Sequence, residues 1–327
     1  MNRGLAAVGL VTAVGLAGGA CAVDLEQADP PRTTTLVWAD PAVDLTGLAT
    51  AVGSKRFTEQ EVLGSIAVEA LRAAGAEVIS ELGRGGTVGN REAQLSGLVD
   101  LYWEYTDVGW LDHLQESNPS TDPVALWEDV RDQDLEENDI TWLVPAPANR
   151  GYAVAMGPTG EEFEIARLAD IGEAFGRDDQ RATLCVADDS SFIADPEGLR
   201  RLQRTLTPRI PADGVTTVEA DLLFTLMTDG PFCPFSIVAA TDSRVATSEV
   251  TLLEDDEQAL VPAQPAVTIR SEVAAEAPDL VDLFDPVSSR LTSEVLRELN
   301  RQVDTDGLTP AQVARTWLLD EGLIVRP

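Results

Sequence analysis

Hydrophobic positions along this chain alternate between two rhythms. Thr58-Glu59-Gln60-Glu61 has the spacing of a capping box, and Leu63, Ile66, Ala67, Ala70, Leu71 and Ala74 follow at helical intervals up to Gly75. Short apolar runs suited to strands stand at 49–52, 77–82, 100–105, 142–144 and 152–156. Gly53-Ser54-Lys55-Arg56-Phe57 and 83–86 read as loops, with Asn90 capping a short helix that ends at Leu95. A helix begins at Pro123, Thr292 caps another at 293–300, and Thr309-Pro310-Ala311-Gln312 opens a last one. Its face carries Val313, Ala314, Trp317 and Leu318. Strands alternating with helices predict an α/β architecture with largely parallel sheets.

The first residues follow neither rhythm. Arg3 precedes an apolar run over 5–16, then Gly18-Gly19-Ala20 and Cys21. The run is short for a membrane span and reads as a signal peptide over 1–20. A Cys after small residues resembles the attachment site of bacterial lipoproteins, with Gly18 departing from the usual Leu. Lipidation at Cys21 and a Pro- and Asp-rich tether over 21–47 are the expectations.

Composition narrows the function. The 327 residues carry 56 acidic and 23 basic side chains, a net charge of −33. Such a chain has no basic footprint for nucleic acid. One His (His113) and three Cys do not make a zinc cluster, and there is no nucleophile elbow or phosphate loop. His113 reads as a surface or packing residue. Export places Cys185 and Cys233 in an oxidising compartment, where the even pair predicts a disulfide. Lys55 is the only lysine.

Several segments carry a resemblance. Gly53-Ser54-Lys55-Arg56-Phe57-Thr58-Glu59-Gln60, Gly85-Gly86-Thr87 and Asp100-Leu101-Tyr102-Trp103-Glu104-Tyr105-Thr106 come first. Tyr152-Ala153-Val154-Ala155, Thr241-Asp242-Ser243-Arg244-Val245 and Ala314-Arg315-Thr316-Trp317-Leu318 follow. Over about 48–325 the chain resembles the substrate-binding proteins of ABC importers for glycine betaine, choline and carnitine. The resemblance implies a type II periplasmic-binding-protein fold: two α/β lobes, each a mainly parallel sheet flanked by helices, joined by two crossing hinge segments. Lobe I takes 48–147 and 243–327, and lobe II takes 148–242. It also implies no enzyme activity, no cofactor and no metal. The expected partners are a small solute and a permease, with the membrane met only through the lipid anchor.

A quaternary ammonium ion has no N–H to donate, so aromatic faces hold it by cation–π attraction. The family uses a box of tyrosines for this, and a Lys and an Arg for the ligand's carboxylate. Tyr105 and Tyr152 match two box tyrosines; Ala239 and Ala263 stand where the other two would be. Lys55 matches the lysine, Asp195 replaces the arginine, and Val108 replaces a carboxylate-contacting threonine. Ligand-binding residues are therefore expected to be Lys55, Tyr105, Tyr152 and Asp195. Tyr105 and Tyr152 read alternatively as packing residues, and Asp195 equally as a cap before Pro196. The losses point to a larger or more cationic solute, unless Trp110, Phe192, Phe232 or Phe235 builds a new wall. The expected function is an extracytoplasmic lipoprotein that captures a small cationic or quaternary ammonium solute between its lobes and passes it to the permease. A ligand-sensing lipoprotein of the same fold, or a binder of a different and larger solute, is the alternative.

Overall fold

Helix 58–73 shows how the first lobe is held. Val62, Leu63, Ile66, Ala67, Ala70 and Leu71 are fully buried along it. They join Val52, Leu101, Trp103, Phe284 and Trp317 in one core. Each such Val, Leu or Ile contributes roughly 1.5–3 kcal/mol by leaving water. The capping box expected at its start is absent. Phe57 is the N-cap, without a side-chain bond, and Thr58 Oγ1 instead donates to Asp304 Oδ1 at 2.7 Å.

The computed structural model describes residues 36–176 and 182–327. Its strands in chain order are β1 (Val37–Trp38), β2 (Ala49–Lys55), β3 (Glu77–Gly85), β4 (Leu101–Tyr105), β5 (Ile140–Trp142) and β6 (Tyr152–Met156). After them come β7 (Leu184–Ala187), β8 (Val215–Val218), β9 (Phe235–Ala239), β10 (Thr251–Leu252), β11 (Pro265–Arg270) and β12 (Ile324–Val325). One sheet has the order β3-β2-β4-β11-β5, the other β10-β6-β9-β7-β8, and β1 pairs with β12. The second sheet has its own core around Leu184, Val186, Phe192, Leu202, Phe235 and Ile237.

The two-lobed α/β expectation holds, but the sheets are mixed. β2 runs parallel to β3 and β4, while β11 is antiparallel to β4 and β5. In the other sheet β7 is parallel to β8 and β9, while β6 is antiparallel to β9 and β10. The reversed strands β6 and β11 each follow a passage between lobes, and so enter their sheet from the cleft edge.

Other boundaries also move. Gly53, Ser54 and Lys55 belong to β2, buried between neighbouring strands, where composition alone suggests a loop. The helix expected to start at Asn90 begins at Thr87 with Gly86 as N-cap. Part of the expected tether is folded: β1 pairs with β12, and Trp38, Val43 and Leu45 lie in the first core. Residues 1–20 and Cys21 lie outside the described residues. The helices that close the first lobe, Ser293–Asp304 and Pro310–Asp320, start where expected, the first capped by Thr292 and the second by a capping box of Thr309 with Gln312.

Residues 149–151 and 261–264 form the two crossing segments. Arg150 N–H donates to Ala263 O at 2.9 Å, and Asn149 Oδ1 accepts from Gly151 N and Ala263 N. Gly151 permits this approach, since a Cβ there would stand 2.7 Å from Val261 O. The second passage thus lies later than the expected 242–243. Beyond helix Ser243–Thr247 the chain supplies β10 to the second sheet, and Leu253, Ala259 and Leu260 to the second core. Residues 240–243 nonetheless rest on the first lobe. Arg297 donates to Ala240 O, Asn300 to Thr241 O, and Ser243 Oγ to Asp304 Oδ2.

Candidate functional site

The carboxyl ends of β2 and β4 deliver Lys55, Glu104 and Tyr105 to the crossing segments, the side of an α/β sheet where ligands usually bind. Glu104 is fully buried and organises a polar cluster. Its carboxylate accepts from Lys55 Nζ, from Tyr102 OH at 3.0 Å and from Tyr105 N at 2.8 Å, and lies 2.8 Å from His113 Nε2. Burial pushes the Glu104 carboxyl upward, but Lys55 and His113 outweigh it and hold the group at about 2. Lys55 is 3% exposed and paired within its own lobe. His113 is a buried hydrogen-bond partner, not a surface residue.

Tyr105 is also buried, and its hydroxyl donates to Glu59 Oε1 at 2.6 Å. Burial, with Glu59 alongside, keeps its phenol neutral to well above the ordinary range. Asn300 Nδ2 binds the other Glu59 oxygen at 3.0 Å. The Phe57 ring stacks on Tyr105 with centroids 6.4 Å apart. Against this pair lies a residue with no sequence signal for the site. The Arg150 guanidinium is 4.9 Å from the Phe57 centroid and 5.3 Å from that of Tyr105. Burial works against its charge, but Tyr105, Glu59 and Asp107 more than restore it.

A cavity of about 300 Å³ opens here, walled by both lobes. The first lobe supplies Asp107, Val108, Leu111 and Asp112; the crossing and second lobe supply Arg150, Tyr152, Ser191, Asp195 and Ala239. Tyr152 OH lies 3.0 Å from Ser191 Oγ, and its ring meets Phe192 edge-on at 4.9 Å. Its cross-strand partner is Ala239. Asp195 Oδ1 accepts from Glu197 N at 2.8 Å, a local turn over Pro196. The following helix starts at Leu199 with Gly198 as N-cap, so Asp195 does not cap it. Asp107 Oδ1 is buried with no hydrogen-bond partner among the described residues. Burial raises the Asp107 carboxyl to about 6.

The structure thus brings Tyr152 and Asp195 into one cavity and places Tyr105 behind Arg150, while Lys55 is bonded to Glu104. Ala263 is buried in the crossing and does not line the cavity. None of the four aromatic side chains considered as a substitute wall lines the cavity. Phe192 and Phe235 are buried in the second core, and Phe232 is 54% exposed. Phe57, inside the opening motif, adds a ring beside Tyr105 and against Arg150. Cys185 and Cys233 form the expected disulfide behind β7, with Cα atoms 5.6 Å apart.

The family model described as OpuAC, substrate binding domain of ABC-type glycine betaine transport system, matches residues 51–320. The glycine-betaine-binding protein of Pseudomonas aeruginosa is 30% identical over 288 residues, covering 85% of this chain and 91% of that one. YehZ of Escherichia coli, named a glycine betaine-binding protein, is 27% identical over 279 residues, covering 83% and 90%. The solved structure of apo YehZ superposes with a TM-score of 0.73 at 24% identity, over 84% of this chain and 99% of that one. A glycine betaine/carnitine/choline ABC transporter structure reaches 0.74 at 16% identity, over 84% and 99%. The two-lobed scaffold therefore has its counterpart in a known group, and this chain belongs to the family of substrate-binding domains of ABC-type glycine betaine transport systems.

Proposed function

We propose that this protein captures a small solute bearing a quaternary ammonium or other cationic group in the cavity at the lobe crossing, and hands it to the permease of an ABC importer. The observation that carries the reading is the cavity's composition. Tyr152 stands beside Ala239, and Asp107, Asp112 and Asp195 line the same cavity. Aromatic faces and fixed anions are what attract a cation that has no hydrogen to donate. Family membership supplies the importer context, and the net charge of −33 adds long-range attraction for cations. Cys21 holds the protein to the extracytoplasmic face of the membrane through lipid. This rests on the sequence before it, and a Cys21→Ala variant is expected to leave the membrane fraction.

A thermal-shift screen against glycine betaine, choline, carnitine, polyamines and amino acids tests the reading. A ligand at 100 times its dissociation constant should add about 2.7 kcal/mol of stability. A panel in which only uncharged or anionic solutes shift the transition overturns it.

A further inference from the structure

We propose that His113 positions one wall of the solute cavity, fixing the segment 106–113 through Glu104 without touching the solute itself. The inference rests on the solute-binding reading above and adds a residue that sets the shape of that site. Four observations converge on it.

The first is the wall. β4 ends at Tyr105, and a helical turn, Thr106–Val108, runs into a wider turn, Gly109–His113. Asp107, Val108, Leu111 and Asp112 from these two turns line the cavity. His113 is not among the lining residues, and its side chain is 3% exposed.

The second is the clamp. His113 Nε2 lies 2.8 Å from Glu104 Oε2 and 3.4 Å from Tyr102 OH. Glu104 stands in the sheet opposite Ala266, and its carboxylate also accepts from Tyr105 N at 2.8 Å. The end of the segment is thus fastened to the strand that leads into it, nine positions back in sequence.

The third is the proton that the clamp demands. Burial opposes the Glu104 charge, but Lys55 and His113 outweigh it, so the carboxylate is ionised and offers acceptors alone. His113 Nε2 therefore carries a proton and donates it to Glu104, which fixes the ring's orientation.

The fourth is the shape of the turn. Leu114 N–H donates to Gly109 O at 3.0 Å, the spacing of a π-helical turn. Such turns are rare and gather at functional sites. Tertiary contacts hold this one. Thr106 is tied to Gln264 by two bonds of 3.1 Å at the start. Gly109 is pressed against Val130 and Trp142, where a Cβ would come within 2.7 and 2.8 Å. His113 closes the end. Leu114, next in sequence, packs with Leu126 and Val130, so loss of the imidazole leaves the segment anchored by one contact fewer.

Calorimetry with glycine betaine, choline, carnitine and spermidine on the purified protein tests the inference. Glutamine can place an amide N–H near the position of Nε2, whereas asparagine is a methylene shorter and leucine has no donor. For whichever compound binds, His113→Leu and His113→Asn should each weaken binding at least tenfold, and His113→Gln should recover most of the loss. Urea unfolding of the same variants separates shape from stability. A purely stabilising residue would lower the unfolding free energy and leave the affinity of the folded protein unchanged. His113 is the only histidine, so its ring nitrogens give a single set of resonances in protein carrying isotope-labelled histidine. They should show a protonated Nε2 and should move when solute saturates the cavity, by the reciprocity of linked sites. The wild-type spectrum decides the matter if the variants fail to fold. Unchanged affinity in His113→Leu and His113→Asn, equal losses in all three variants, or a ring signal unmoved by saturating solute overturns the inference and leaves solute capture standing. A wild type that binds none of the compounds overturns both.

Discussion

Lys55 and Glu104 form a buried ion pair at the carboxyl ends of β2 and β4, with His113 and Tyr102 on the far oxygen of the same carboxylate. One fully buried anion thus organises groups from β2, β4 and the turn after β4. Removing one partner of such a pair typically costs 3–5 kcal/mol, because the remaining charge stays buried. Glu104→Gln should therefore lower the unfolding free energy by an amount in that range, read by urea unfolding.

The same carboxylate sets an acid limit. Its folded value is about 2 against an ordinary 4.5, so its stabilisation is complete above pH 4.5 and is lost as pH falls toward 2. The lowering corresponds to about 3 kcal/mol. Wild-type stability should fall through this window, and the Glu104→Gln curve should be flatter there. Parallel curves would contradict the assignment.

Asp107 has the opposite sign. Burial holds it at about 6 against 3.8, so the folded protein retains a proton that the unfolded chain releases. Its contribution is present below the ordinary value and is lost as pH rises through about 6. Asp107→Asn should stabilise the protein at pH 8 by about 1–3 kcal/mol. Arg150 and Lys55 favour its ionised form and Glu104 opposes it. A bound cation adds to the favourable side. Choline affinity should rise between pH 5 and 7.5 in the wild type and vary less in Asp107→Asn, as followed by calorimetry.

Tyr152 can be separated into ring and hydroxyl. Loss of one cation–π face costs roughly 0.5–2 kcal/mol. Tyr152→Ala should weaken solute binding by that amount, whereas Tyr152→Phe should keep most of it while losing the contact to Ser191. Equal losses in both variants would assign the effect to the hydroxyl.

Much of the scaffold was legible because local signals agreed with tertiary ones. Tyr152–Met156 is a strand as expected, and Thr309 closes a capping box with Gln312. Signals failed where packing overrode composition. Gly53-Ser54-Lys55 has a loop-like composition yet continues β2, because β3 and β4 flank it. Thr58 has the look of a cap, but its hydroxyl is engaged by Asp304, far along the chain. The site was half legible. Tyr152 and Asp195 were traceable from motifs, and the Cys185–Cys233 disulfide from the even cysteine pair. Arg150 was not, because its meaning depends on Phe57 and Tyr105, which reach it only through the fold. Lys55 stood in a ligand-contacting motif, but its charge meets Glu104 first.

The disulfide spans 48 residues of sequence, between β7 and the turn before β9. On the chain-entropy account a closed loop of that size is worth about 4 kcal/mol. Replacing both cysteines by alanine should lower the unfolding free energy by that amount or less, seen as a lower thermal transition. A transition unchanged by the double replacement would show that the second core holds without the link.

Asn149 ties the crossing segments together through Gly151 N and Ala263 N, and Arg150 sits within that tie. A group on a pivot moves little when the bodies on either side rotate about it. A rotation of one lobe about this crossing would therefore leave Arg150 nearly in place and carry Tyr152, Ser191 and Asp195 past it.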